Sequence, residues 1–158
     1  MANTQSMCTS FMSELMTGTH NFGTAPIRAA STADTFKAAL YLASATINAS
    51  TTASSATGEV SGTGYSPGGV TVTNATPPSS TNTSSTAGTA YWTPSASITY
   101  TTVTLTTAFD AVLIYNSTQS DKAVSVHTFG SQTVTAGTFT LTMPSNTTST
   151  ALLRLATT

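Results

Sequence analysis

Few side chains in this sequence could do chemistry, and the most suggestive group runs from Glu59 to Val70, EVSGTGYSPGGV. Gly64 and Gly69 stand at the five-residue offset of a phosphate-cradling loop, in which backbone N–H groups at the start of a helix hold the anion. Val70 occupies the place where that loop needs its lysine, and the following VTVTNA reads as strand. A dinucleotide-binding fingerprint fails too: Gly62 and Gly64 fit G-x-G, but Pro67 replaces the third glycine and no βαβ unit surrounds them. Turn chemistry accounts for the same residues, because glycine reaches positive φ without steric cost and Pro67-Gly68 presets a turn. Tyr65, at the expected tip, is a candidate contact residue, since an aromatic side chain on a loop offers much apolar area at low entropic cost.

Acid–base or nucleophilic chemistry would need His20 or His127, the only imidazoles. His127 alternates within KAVSVHTFG, which predicts a strand-borne, hydrogen-bonded ring. His20, Asp34, Glu59, Asp110, Asp121 and His127 lack the spacing of a zinc or calcium site, and no local pattern pairs two carboxylates for glycoside hydrolysis. Cys8 is the sole cysteine, which excludes an intrachain disulfide and a multi-cysteine zinc site. The reading assigns no catalytic, cofactor-binding or metal-binding residue and expects no enzyme.

Composition points the same way. The 158 residues are 39% hydrophobic, enough for the core of one domain spanning 1–158, yet only 6% are charged, against roughly a quarter in ordinary soluble proteins. Thr and Ser cover the surface in place of charge. With a net charge of −1 and Arg28, Lys37, Lys122 and Arg154 far apart, no basic stripe exists to neutralise phosphates, so nucleic acid is not an expected partner. A membrane is not expected either, because no apolar run approaches the roughly 18 residues that a helical span needs. The N-terminus lacks the pattern of a secretory signal, which predicts synthesis in a cytoplasm. Five Asn-x-Ser/Thr triplets, at Asn48, Asn74, Asn82, Asn116 and Asn146, are the chance product of a Ser/Thr-rich chain.

The positioning elements follow from periodicity. Met7, Phe11 and Leu15 at i, i+4, i+8, flanked by Cys8, Met12 and Met16, predict a short helix over Met7–Met16 stopped at Gly18, within an N-terminal arm of residues 1–22. Its Met-rich face makes Met7, Phe11 and Met12 candidate interface residues. From Thr35 the pattern is β: Phe36, Ala38, Leu40 and Leu42 alternate as on a half-buried strand, and short strands follow at GGVTVTNA, TAYWT, SITYTTVTLTT, AVLIYN, KAVSVHTFG, TVTAGTFTLTM and TALLRLA. Thr suits them, its branched Cβ fitting a pleated strand and its hydroxyl supplying polarity without charge. The apolar parity changes between Tyr100 and Val103, predicting a β-bulge or strand break, and Asp121-Lys122 marks a hairpin turn. Residues 74–90 read as an exposed loop. Tyr91 and Trp92 are core or interface, and a buried Trp92 needs a partner for its indole N–H. The fold class is mainly β, an antiparallel β-sandwich, jelly-roll-like, with a short N-terminal helix; an open barrel is the alternative.

Taken in order, CTSFMSELMTGTHNF, DTFKAALY, EVSGTGYSPGGV, AVLIYN, KAVSVHTFG and a closing LLRLA cover nearly the whole chain and resemble a family of small virion structural proteins of tailed bacteriophages. Met12 stands where that family has a lysine, and Val112 near its usual glycine–alanine pair. The resemblance implies a component of the virion, located on the capsid surface, that acts as a capsid cement or decoration protein. It implies the major capsid protein as partner and a homo-oligomer, dimer or trimer, and transfers no catalytic residues. A tail-fibre or receptor-binding module is the alternative, with Tyr65, Tyr91, Trp92 and Tyr115 stacking on sugar rings.

Overall fold

The computed structural model describes residues 3–16, 18–22, 33–81 and 88–156. In chain order the elements are β1 (Ser6–Met7), α1 (Thr9–Met16), β2 (Phe36–Leu42), β3 (Val70–Thr71), β4 (Ser79–Ser80), β5 (Thr89–Trp92), β6 (Ile98–Asn116), β7 (Lys122–Leu141) and β8 (Leu153–Ala156). They form the expected antiparallel β-sandwich with one short helix. One sheet has the order β1-β7-β6-β2-β3 and the other β4-β5-β8.

The β6–β7 hairpin is the frame. Its strands are much longer than the sequence suggested, because SITYTTVTLTT runs into AVLIYN and KAVSVHTFG into TVTAGTFTL without interruption. The parity change is a bulge: between the pairs Tyr100↔Phe139 and Val103↔Gly137, β6 carries one more residue than β7, and Thr102 takes φ 52. Between Val103↔Gly137 and Leu105↔Val134 the surplus switches to β7, where Ala136 has φ 46 and donates its amide to Thr104 Oγ1 at 3.0 Å. Such bulges bend a ladder sharply. The bend is large: nine extended residues would separate Tyr100 from Phe109 by about 30 Å, yet Phe139, paired with Tyr100, meets the Phe109 ring edge-on at 5.0 Å. The hairpin folds over itself and encloses the core.

β2 departs from expectation. Both of its faces are buried, with Ala39 and Tyr41 as enclosed as Phe36 and Leu40, because the chain after β2 returns across the face that the alternation assigned to solvent. The Leu42 amide donates to the Gly58 carbonyl and the Val60 amide to the Leu40 carbonyl, which ties the returning chain to the edge of β2, while on the second face the Tyr41 hydroxyl donates to the Ser55 carbonyl at 2.7 Å. Residues 74–90 are also not wholly loop: Ser79 and Ser80 pair with Tyr91 and Ala90, and 82–87 lie outside the described residues. The smaller sheet packs on the larger through Trp92, whose ring lies 4.7 Å from Phe22 and 6.2 Å from Phe36.

α1 begins two residues later than predicted, Met7 belonging to β1 instead. It ends as the glycine implied: Gly18, at φ 68, donates to Leu15 while Thr19 reaches back to Glu14 at 2.8 Å. This is the paired closure that a left-handed residue after a helix permits.

Candidate functional site

The glycine-rich stretch is a loop that clasps itself. Glu59 Oε1 accepts from the Tyr65 hydroxyl and from the Gly68 amide, both at 2.7 Å. The Tyr65 oxygen in turn accepts the Leu40 amide at 3.0 Å. Tyr115 donates to the Gly68 carbonyl at 2.7 Å, and Tyr100 donates to the Ala38 carbonyl at 2.8 Å. Tyr65 is therefore not at an exposed tip: it is buried and stacked on Tyr100. Burial, reinforced by Glu59, raises the Tyr65 phenol, and burial pushes Tyr115 up to about 12, so both remain donors at neutral pH. The glycines serve close approach: at Gly69 (φ 71) a Cβ would fall on the Ala38 carbonyl oxygen, and at Gly62 on that of Thr104. The amides of Tyr65, Gly68 and Gly69 are bonded within the loop itself.

A second polar group was not visible in the sequence. His20, its side chain wholly enclosed, sits between Glu14 of α1 and Asn116 at the end of β6. Asn116 Oδ1 accepts the amides of Thr118 and Gln119, which fixes its Nδ2 as the donor to His20 Nδ1 at 3.0 Å and Asp34 Oδ2 at 2.8 Å. His20 Nδ1 thus accepts, the proton lies on Nε2, and the ring donates to Glu14 Oε2 at 2.8 Å. Lys122 closes the group on the other Glu14 oxygen at 2.6 Å. Burial holds His20 below its ordinary value against the upward pull of Glu14. Burial would raise Glu14, but the bonds from Lys122 and His20 outweigh it and lower the carboxyl. Sequence separations such as Asp34 to Asn116 leave no local signal for such a cluster. It reads as a clasp holding the N-terminal arm to the hairpin, with its only imidazole sealed from solvent.

Ser125 and His127 come together as strand neighbours on one face, Oγ to Nε2 at 2.9 Å. Geometry of this kind suits nucleophile activation, but Ser125 is buried and no carboxylate orients Nδ1 among the described residues. Burial lowers His127 to about 4. Cys8 is likewise enclosed and raised to about 11, by burial first and then by Glu14, which leaves its thiol unreactive.

Of the six candidate interface residues, four converge. Met7, Phe11, Tyr91 and Trp92 line one apolar cleft of about 80 Å³ between α1 and the smaller sheet. Trp92 and Phe11 form its floor as core residues, and the Trp92 indole N–H is satisfied by Asn74 Oδ1 at 3.1 Å and the Thr76 carbonyl at 3.0 Å. Met12 is 47% exposed on α1, and Tyr65 lies elsewhere. The residue that sequence reading missed is Leu155, 41% exposed on the rim of the same cleft; its neighbours in LLRLA gave no sign that the strand would overhang the body.

No protein-family model, curated protein or solved structure matches this chain.

Proposed function

We propose that this chain is a bacteriophage virion structural protein, a capsid cement or decoration protein that braces the major capsid shell by many weak, symmetry-repeated contacts. The resemblance of its sequence words to such proteins suggests the role. The observation that carries it physically is the placement of the accessible apolar surface, with exposed Leu155 and half-buried Met7 and Tyr91 gathered at one cleft of a nearly uncharged sandwich. Low charge lets copies crowd on a shell without cumulative repulsion, and repetition turns weak contacts into strong ones. Tyr65, Trp92 and Tyr115, which a sugar-stacking tail module would present, are buried, and this weighs toward the shell over the tail.

The test is a particle lacking the protein. It should release DNA at a lower temperature than the complete virion, and purified protein added back at shell-like stoichiometry should restore the difference; unchanged particle survival would discard the role. Sedimentation at micromolar concentration tests the accompanying homo-oligomer, which a strictly monomeric profile would refute.

A further inference from the structure

Among the described residues, the sandwich has an open seam beside β8. β8 ends the smaller sheet, and its outer edge carries no backbone hydrogen bond among the described residues; β1 ends the larger sheet, with Thr4 and Thr9 on either side of it donating to the Ile47 and Ala49 carbonyls. The apolar cleft beside α1 continues into a wider, more polar gap of about 450 Å³, and the two share Met7 on one wall and Arg154 on the other. Among the described residues β8 therefore presents open amide and carbonyl groups to a groove with an apolar floor and Leu155 on its rim.

Arg154 supplies the electrostatic half. It is exposed, it makes one long contact, to the Thr148 carbonyl at 3.5 Å, and among the described residues no carboxylate pairs with it. From this geometry we infer that the seam receives an extended segment of a different protein, which adds as a strand beside β8, sets alternate apolar side chains against Leu155 and Met7, and places a carboxylate on Arg154. Strand addition draws affinity from main-chain bonds and specificity from alternate side chains. A second copy does not fit this chemistry. Glu59 and Asp110 are tied to Tyr65 and Asn3, Glu14 and Asp34 to the clasp, and Asp121, exposed, sits in a left-handed turn at φ 56, not on an extended strand. The inference goes beyond the shell role and stands independently of it; if that role holds, the strand belongs to a shell subunit.

The probe is a capped hexapeptide alternating valine and threonine with one aspartate, and its asparagine counterpart, titrated to millimolar concentration into the full isotope-labelled chain. The aspartate peptide should slow amide exchange at Leu153–Ala156 at least tenfold and bind at least threefold more tightly than the asparagine peptide. Arg154→Gln should erase that preference and Leu155→Asp should abolish binding, with melting curves confirming that both variants fold. No protection at β8, or equal affinity for both peptides in the unaltered chain, overturns the inference. A second arm uses shells of the capsid protein. Binding to shells with unchanged β8 exchange, and equally by both variants, refutes the seam and leaves the shell role standing. Peptide protection of β8 without shell binding does the reverse.

Discussion

The Tyr65 hydroxyl donates to Glu59 Oε1 at 2.7 Å while accepting the amide of Leu40, so one phenol oxygen joins the glycine-rich loop to the buried strand β2. Removing it strands a buried backbone donor and one carboxylate lone pair, and an unsatisfied buried group costs about 1–3 kcal/mol. Tyr65→Phe keeps the ring stacked on Tyr100 and should lower unfolding free energy by about 2 kcal/mol in urea titration. A loss under about 0.5 kcal/mol, the range of an ordinary surface change, would mean that the clasp contributes nothing.

Two glycines should respond in opposite ways to alanine. Gly69 has φ 71, and its Cβ would overlap the Ala38 carbonyl, so Gly69→Ala combines backbone strain with displacement of β2. A cost of about 3 kcal/mol or more is expected. Gly130 has nothing within 4 Å of a built Cβ, and Gly130→Ala should be neutral or stabilising by up to about 1 kcal/mol through the unfolded chain. Thermal melts of the pair check this, and equal effects would contradict the close approach at Gly69.

What could be read in the sequence was whatever is local. The helix stop at Gly18, the bulge after Tyr100 and the turn before Lys122 each follow from residue type or parity within a few positions. The β2 strand was misjudged because its alternation could not show that residues 43–60 would return over its second face. Tyr65 was misplaced for a related reason: an aromatic on a glycine-rich turn looks exposed until the turn folds back on β2. The His20–Asn116–Asp34 group joins positions that only the tertiary fold brings together, and no spacing rule reaches it. The cleft is equally non-local, since Met7 and Tyr91, 84 positions apart in sequence, line it together.

Acid should weaken the fold through its two imidazoles. Burial holds His127 at about 4, against an ordinary 6.5, and His20 is lowered as well. Between pH 6.5 and 4 the unfolded chain therefore binds protons that the folded chain refuses. The stabilisation from His127 is complete above about pH 6.5 and is lost as pH falls toward 4, at up to about 1.4 kcal/mol per pH unit, and His20 acts in the same direction. Glu14, lowered from 4.5, adds its own loss only below that ordinary value. His127→Gln, which keeps an acceptor for Ser125, should flatten the dependence. Urea midpoints from pH 7.5 to 4.5 measure both slopes, and parallel curves would contradict the half-buried, neutral ring.

The N-terminal clasp should behave as a unit. Asn116 holds His20 and Asp34 through one amide nitrogen and the turn after β6 through its oxygen, while Glu14 joins His20 to Lys122. Replacing Asn116 by alanine leaves the His20 acceptor and one Asp34 oxygen without that donor, and the His20→Ala change takes one donor from Glu14. Once either is made, the second has less to remove. The double variant should therefore be more stable than the sum of the single losses predicts, by about 1–3 kcal/mol. Lys122→Met, which acts at the half-exposed end of the group, should cost under about 1 kcal/mol. Protease cleavage near Gly18 should accelerate with each loss, because the arm is held at that end by Glu14 and His20. Strict additivity of the two single changes, with cleavage unaltered, would show that these bonds form independently and that the arm is held by its apolar side chains alone.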